Sequence, residues 1–159
     1  LAPVFCGTAA TGIGSYALLK GIADYMPSPD EKPVEICEDE KGELIEINCT
    51  RNGSTCAFVF KTVADQYGRF SYFKVMSGEV KQDMTLVNKR ADANEKMGHI
   101  FNVCGKKTTE VPVIGCGDIG AVSKLVTTKT GDTLSMSVRK VELEPIEIAP
   151  PCYTQANRA

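Results

Sequence analysis

The feature that most constrains the fold is a series of short apolar segments separated by glycine-containing or polar turns. Residues 117–134 show it clearly, because an apolar segment lies between Gly117-Asp118 and Thr130-Gly131-Asp132. Similar segments occur at 57–63, 69–76, 79–81, 84–87, 97–103, 119–126 and 138–143. Many short strands with turns between them predict a mainly β fold, an antiparallel barrel of six or seven strands. Closing the barrel protects edge strands from aggregation.

The first 29 residues have a different pattern, which predicts one strand and one α-helix before the barrel. The apolar run at 4–6 is a candidate strand, and Ser15 is a candidate helix N-cap. Apolar residues then recur at helical spacing until Pro27 and Pro29 end the helix: Leu18, Leu19, Ile22, Ala23 and Met26. We expect part of this apolar face to be exposed, and a dimer is one way of covering it.

These patterns predict a division into four parts: a strand and helix at 1–29, a linker at 30–33, the barrel at 34–150 and a connecting segment at 151–159. Hydrophobic residues make up 43% of the chain and charged residues 24%, as in ordinary globular proteins. No run of about 18 apolar residues occurs, so no membrane partner is predicted.

Charge is distributed unevenly along the chain, although the formal net charge is only −2. Residues 24–53 contain nine acidic and three basic side chains, whereas residues 61–140 contain thirteen basic and eight acidic ones. A basic body is compatible with a phosphate-rich partner. On charge alone, however, a solvated surface of mixed sign is the stronger interpretation.

The seven cysteines and the single His99 favour neither a metal site nor a catalytic triad. No two cysteines have the C-x-x-C spacing of zinc ligands, so reduced thiols in a cytosolic protein are the favoured interpretation. A Cys37–Cys49 disulfide across the acidic segment is the alternative. The acidic segment itself, residues 38–43, is predicted to be a solvated turn rather than a calcium site.

Motifs for nucleotide hydrolysis are absent from the sequence. It contains no glycine-rich loop that ends in Gly-Lys-Ser/Thr and no Asn-Lys-x-Asp motif. We therefore predict no catalytic residue, no metal and no cofactor for this chain by itself.

A binding function would depend on basic side chains, and Arg69 is the strongest candidate. Gly68 lets the backbone approach a phosphate closely, and the guanidinium of Arg69 can bind that phosphate with two hydrogen bonds. Tyr67 can stack on an exposed base, or it can simply cover one end of the barrel. Lys74 extends the candidate RNA-binding set, and further basic candidates are Lys81, Lys89, Arg90, Lys106, Lys107 and Lys124.

Several segments occur in the order found in translational GTPases of the elongation factor G type, which this chain resembles. Residues 3–9 resemble the last strand of the GTPase domain, and Thr8, Ala9 and Ala10 occupy its final guanine-nucleotide motif. The helix and its Pro-Ser-Pro exit follow at 18–29. Segments 57–65, 75–78 and 117–134 match the barrel that forms the second domain, and 143–151 match the exit toward the third domain.

The resemblance implies a non-catalytic barrel module that contacts the ribosome and couples nucleotide state to the movement of tRNA and mRNA. Its implied partners are small-subunit RNA and protein together with the protein's own GTPase and third domains. GTP and magnesium would belong to the parent protein, where Thr8, Ala9 and Ala10 would contact guanine. A cytoplasmic location is implied as well.

Three departures from the family pattern keep alternatives open, and one of them is the loose match of residues 37–56, which include the acidic segment. The loop at 65–69 lacks the family's proline and is one residue shorter, and Asp83 replaces a glycine in a tight turn, where we expect positive φ. A ribosomal protection protein or another paralogous GTPase would also fit. A free-standing barrel that binds a small ligand is the third possibility.

Overall fold

The computed structural model describes residues 2–31, 34–65 and 68–147 of the chain. Its fold is mainly β, with a single helix in the described part. The chain divides into two compact units, Leu1–Pro33 and Val34–Ala159. Among the described helical residues, none form a stretch with the length and apolar character needed to cross a bilayer.

The first unit contains a tight turn and the helix α1, Ser15–Tyr25. Thr8 N–H donates to Ile13 O at 2.9 Å, and Gly12 N–H donates to Thr8 O at 3.0 Å. The predicted strand at 4–6 is wrong, because a single bridge between Thr8 and Ile13 is the only β pairing in this unit's described part. Extended backbone becomes a strand only where a neighbouring strand supplies hydrogen bonds.

The predicted N-cap of α1 is also wrong. Gly14 is the capping residue, with φ of 84°, and no side chain caps the helix. Ser15 is instead the first helical residue. The helix therefore begins after a glycine in the left-handed conformation, which glycine adopts at little cost in free energy.

The second unit contains thirteen strands within its described residues. In chain order they are β1 (Glu35–Glu38), β2 (Leu44–Ile47), β3 (Cys56–Asp65), β4 (Gly68–Ser77), β5 (Glu79–Lys81), β6 (Met84–Asn88), β7 (Ala93–Met97), β8 (Ile100–Cys104), β9 (Lys107–Glu110), β10 (Val113–Gly115), β11 (Ile119–Ser123), β12 (Thr133–Ser135) and β13 (Glu142–Leu143).

The main sheet is antiparallel and has eight strands in the order β7-β6-β12-β3-β4-β11-β8-β9. Its inner face supplies one hydrophobic core, in which Met97 from β7 and Ile100 from β8 belong to the same buried cluster. These two strands lie far apart in the sheet order, so the sheet must curve around the core. The mainly β, barrel-type fold is thus confirmed, with eight strands in the main sheet rather than six or seven.

Two smaller sheets complete this unit. Strands β5 and β10 pair with each other, and β13, β1 and β2 form a three-stranded sheet in that order. A second buried cluster lies against the small sheet: Cys37, Ile47, Cys56, Val141 and Leu143. The acidic segment forms the β1–β2 turn, where the Asp39 carboxylate accepts the N–H groups of Lys41 and Glu43, as the solvated-turn interpretation predicted.

The Cys37–Cys49 disulfide is not formed. Strand register places Cys37 opposite Ile45, whose carbonyl accepts its S–H at 3.4 Å. Cys49 lies four residues beyond Ile45, about 13 Å further along an extended chain. Both cysteines are free thiols.

Individual strand boundaries differ from prediction in several places. The predicted strand at 119–126 ends at Ser123, because the residues after it form a loop. The predicted strand at 97–103 is interrupted at Gly98 and His99, so β7 and β8 are separate, and exposed His99 contacts Glu110 at 2.6 Å. The segment at 138–143 contributes only β13. Strands β9 and β10 were not predicted, since neither has a clear apolar alternation. Asp83 has φ of 61°, which confirms the expected turn.

Candidate functional site

The candidate site is one end of the barrel, formed by Gly68, Arg69 and the loop 124–131, and we call it the Arg69 end. Gly68 is exposed with φ of 131°. The Arg69 Nη2 group donates to Thr128 O at 2.7 Å, and Lys124 N–H donates to Arg69 O at 3.2 Å. Arg69 therefore ties strand β4 to the loop. Tyr67, predicted beside it, lies outside the described residues.

The side chain of Glu95 fixes the same loop from the barrel interior by hydrogen bonds. This carboxylate is only 3% exposed, and Oε1 accepts both the N–H and the O–H groups of Thr127 and Thr128 at 2.7–3.0 Å. Its Oε2 accepts Val126 N–H at 3.1 Å. Burial, the largest influence, acts to raise the pKa of Glu95, but these hydrogen bonds together outweigh it and lower the pKa below its usual 4.5. The loop is thus held by a buried, ionised carboxylate.

A second polar network supports the far side of the loop. Asp132 is buried, and its Oδ2 accepts Asn88 Nδ2–H and Lys129 N–H, each at 2.8 Å. Arg90 Nη1 lies 2.9 Å from Asp132 Oδ1, and Arg90 Nη2 donates to Gly131 O at 3.2 Å. The loop consequently has several fixed backbone positions, which is the kind of preorganisation that a binding surface requires.

Two lysines project from this supported loop. Lys124 and Lys129 are both exposed, and neither has an ion pair within the described part of the chain. Lys124 has φ of 66°, an uncommon conformation for a residue with a side chain. Together with the N–H groups of Arg69 that do not face Thr128, they can attract and position phosphate oxygens.

The structure does not bring Lys74 to the Arg69 end. Lys74 lies five positions after Arg69 on β4, so the two side chains point to opposite faces of the strand, about 16 Å apart along it. Lys74 belongs to the outer face with Phe70 and Tyr72, and the Phe70 ring meets Phe101 edge-on at 5.9 Å. Arg69 and Lys74 therefore represent two separate surfaces.

The Thr8, Ala9 and Ala10 turn is exposed in the first unit. Its backbone groups are used in the turn itself, since Thr8 donates to Ile13 and accepts from Gly12. Nothing in the sequence supplies a phosphate loop or a magnesium ligand beside it. The residues of this chain thus do not fit GTP and magnesium by themselves, and we derive no nucleotide chemistry for them.

Sequence reasoning missed four residues that build the Arg69 end from inside: Asn88, Glu95, Thr128 and Asp132. Arg90 was a basic candidate for binding, but its contacts with Asp132 and Gly131 were not predicted. Glu95 lies between Asn94 and Lys96, and this polar surrounding predicts a strand residue that faces solvent. Its position opposite Leu86 in the β6–β7 register is the signal that would have placed it inward. That register was not available from periodicity alone.

Comparison with known proteins identifies the family. The profile described as "Elongation factor G domain 2" matches residues 54–137. The chain belongs to this family. The mainly β fold with its eight-stranded antiparallel main sheet agrees with this family, which is part of a translation elongation factor.

Curated relatives match over the whole chain. An elongation factor G-like protein of Thermotoga maritima is 34% identical over 98% of this chain. Elongation factor G 1 of Bdellovibrio bacteriovorus is 37% identical over 99%, and elongation factor G 2 of Syntrophomonas wolfei is 33% identical over 100%. The chain spans 23% of the length of each of these relatives.

Proposed function

We propose that this chain is the ribosome-contacting, non-catalytic second-domain region of an elongation factor G-like GTPase. In the whole protein it would transmit the nucleotide state of the GTPase domain to the movement of tRNA and mRNA in the cytoplasm. The observation that carries the proposal is the Arg69 end, where Lys124 and Lys129 extend from a loop held by a buried carboxylate. Two lysines whose backbone positions are fixed suit the fixed phosphates of folded small-subunit RNA.

The flanking segments receive roles in the same proposal. Residues 1–29 would complete the GTPase domain, with 30–33 as linker, 34–150 as the barrel and 151–159 leading toward the third domain. Thr8, Ala9 and Ala10 would form the edge of a guanine site whose remaining parts, with GTP and magnesium, belong to other regions of the protein. Lys74, on the outer face of β4, would contact a second part of the small subunit.

Two alternative functions can be compared with this proposal: one fits the site equally well, and the other fits it less well. A ribosomal protection protein or another paralogous GTPase would use the same barrel, so the site geometry supports them as the same class of module. A free-standing ligand-binding barrel is disfavoured, because the cavity beside Thr50 and Ser77 measures about 150 Å³. Sites for cofactors and drug-sized ligands usually measure about 300 Å³ or more.

The test is salt-dependent binding of the chain to purified small ribosomal subunits. Lys124→Ala and Lys129→Ala should each weaken binding and reduce the slope of log K against log salt concentration by about one, because each removes one phosphate contact. Lys107→Ala, an exposed lysine on β9, is the matched control and should change neither quantity. Equal effects of all three substitutions, or none, would remove the Arg69 end as the interface.

Arg69→Ala is a less direct test, because Arg69 also holds Thr128. Arg69→Lys keeps the charge and loses the planar guanidinium. We expect Arg69→Ala to weaken binding more than Arg69→Lys while lowering stability as well. Thermal unfolding of both variants separates the loss of contact from the loss of loop structure.

A further inference from the structure

The cysteines of the described residues fall into three groups by accessibility. Cys6 and Cys104 are exposed, Cys37 and Cys56 are buried, and Cys49 and Cys116 are half-buried. Cys49 lies in the connection between β2 and β3, and Cys116 lies in the turn between β10 and β11. The last two are far apart in sequence, and both remain within reach of a small solute.

Both connections are anchored to the end of β4. The Cys116 S–H donates to Met76 O at 3.4 Å, and Gly117 N–H donates to Val75 O at 2.8 Å. On the other connection, Thr50 O accepts Gly78 N–H at 2.8 Å. Because both segments are attached to residues 75–78, Cys49 and Cys116 lie near each other, and the Cys49 side chain influences the ionisation of Cys116.

The surroundings of Cys116 disfavour the ionisation of its thiol. Burial, followed by the hydrogen bond and charge of neighbouring Cys49, raises the pKa of Cys116 to about 12, against a smaller opposing effect of Lys74. Cys116 thus keeps its proton near neutral pH, and the first nucleophilic step is assigned to Cys49 as part of the proposal below. Cys37 and Cys56 form another neighbouring pair, but both are buried, and burial raises the pKa of Cys56 to about 12.

We propose that Cys49 and Cys116 form a reversible dithiol–disulfide site that responds to hydroperoxides. The Cys49 thiolate attacks one oxygen of hydrogen peroxide, the O–O bond breaks, and Cys49 becomes a sulfenic acid while hydroxide leaves. The Cys116 sulfur then attacks the Cys49 sulfur, the S–O bond breaks, and the departing hydroxide takes the Cys116 proton as water. Overall, two thiols lose two electrons and two protons, and one peroxide becomes two waters.

The disulfide would act on a cavity that the same connection lines. Asn48, Thr50, Gly53 and Ser54 form part of the wall of the 150 Å³ cavity, with Arg139 at another position on it. A covalent bond from Cys49 to Cys116 would fix this wall to the β10–β11 turn. It would also close the chain between residues 49 and 116 and restrict the unfolded state. This inference is independent of the proposed ribosome contact.

Peptide mapping gives a direct test, because trypsin separates the cysteines. Cys49 lies in peptide 42–51 and Cys116 in peptide 108–124, each as its sole cysteine. The purified chain is treated with equimolar hydrogen peroxide, its free thiols are blocked by alkylation, and the digest is analysed by mass spectrometry without reductant. We expect these two peptides to be linked, and dithiothreitol to release them.

Two variants and one physical measurement complete the experiment. Cys49→Ser and Cys116→Ser should each abolish the link, whereas Cys104→Ser, at an exposed thiol, should leave it unchanged. Oxidation should raise the melting temperature of the unsubstituted chain by about 5 °C or more. Alkylation of both Cys49 and Cys116 after peroxide treatment, or preferential linkage of Cys37 to Cys56, would overturn the proposal. Mapping of the unsubstituted chain decides this even if a variant fails to fold.

Discussion

At the scale of single residues, Glu95 decides the shape of the candidate site. Its carboxylate accepts five hydrogen bonds from three consecutive loop residues while being almost completely buried. A buried charge is tolerated only where such partners replace its water. Arg69 adds the second tie, from its guanidinium to Thr128 O. Two residues of opposite charge therefore fix one loop, without forming an ion pair with each other in the described contacts.

We predict that Glu95→Gln destabilises the fold by about 2 kcal/mol near neutral pH. The amide of glutamine would place an N–H donor against the N–H of Val126 or against the donors of Thr127 and Thr128. Chemical denaturation measures the change, and Glu46→Gln, at an exposed position of strand β2, is the control. A loss below about 0.5 kcal/mol would show that the loop does not depend on this carboxylate.

The same residue predicts a pH dependence. Its pKa is lowered in the folded state, so the stabilisation is fully present above the unfolded value near 4.5 and is lost as pH falls through the folded pKa. The stability difference between the unsubstituted chain and Glu95→Gln should accordingly shrink as the pH falls from about 5 through the lowered pKa of the folded state. Denaturation at several pH values tests this, and a difference that stays constant would contradict it.

Gly78 allows a second prediction at this scale, because φ is 68° and a Cβ atom there would lie 2.7 Å from Gly53 O and 2.9 Å from Thr55 N. Gly105 also has positive φ, of 61°, but has open space around it. We expect Gly105→Ala to cost about 1 kcal/mol from backbone strain, and Gly78→Ala about 3 kcal/mol or more because backbone atoms must move. Similar losses in the two variants, measured by denaturation, would mean that the contacts of Gly78 are easily relaxed.

At the scale of elements, strand β4 explains why the predicted basic residues do not form one surface. Its burial alternates along the strand, with Ser71, Phe73, Val75 and Ser77 directed inward. By the same alternation, Arg69 belongs to the inward-facing positions but lies at the end of the barrel, whereas Lys74 belongs to the outward-facing positions. A contact surface read from sequence proximity alone therefore joins side chains that the pleat separates.

The helix α1 allows a prediction about association. Leu19 is 65% exposed, and Leu18 and Ile22 are also largely exposed, as the sequence led us to expect. We propose that this face forms a dimer of the isolated chain. Light scattering at high concentration should then give a mass above the monomer, which Leu19→Lys reduces to the monomer value. Leu44→Lys, at another exposed leucine on β2, is the control, and a monomeric unsubstituted chain would rule out the dimer.

At the scale of the whole molecule, stability is concentrated in the second unit. The single buried residue of α1 is Gly21, and an isolated helix of this length is marginally stable in water. The main core, by contrast, takes buried side chains from strands throughout the eight-stranded sheet and from β5 and β10. The two units should therefore differ greatly in their resistance to local opening.

Native-state hydrogen exchange tests this difference. Amides of α1 should exchange with protection of roughly 100-fold or less, whereas amides in β3, β4 and β11 should be the slowest in the chain. These three strands form the centre of the main sheet, where each strand has a paired strand on both sides. Equal protection of α1 and β4 would indicate that the helix shares the stability of the barrel.

The sequence by itself determined the fold class, because turn residues and apolar alternation are local properties that do not depend on tertiary contacts. It also identified the family, the exposed helix face and the positive φ of Asp83. Tertiary structure alone decided which polar residues are buried, since Glu95 and Asp132 became internal only through strand register and the path of loop 124–131. The Arg69–Thr128 bond and the Cys49–Cys116 contact likewise join residues that no local pattern connects. Such pairings depend on how the sheet curves, and curvature is a property of all its strands together.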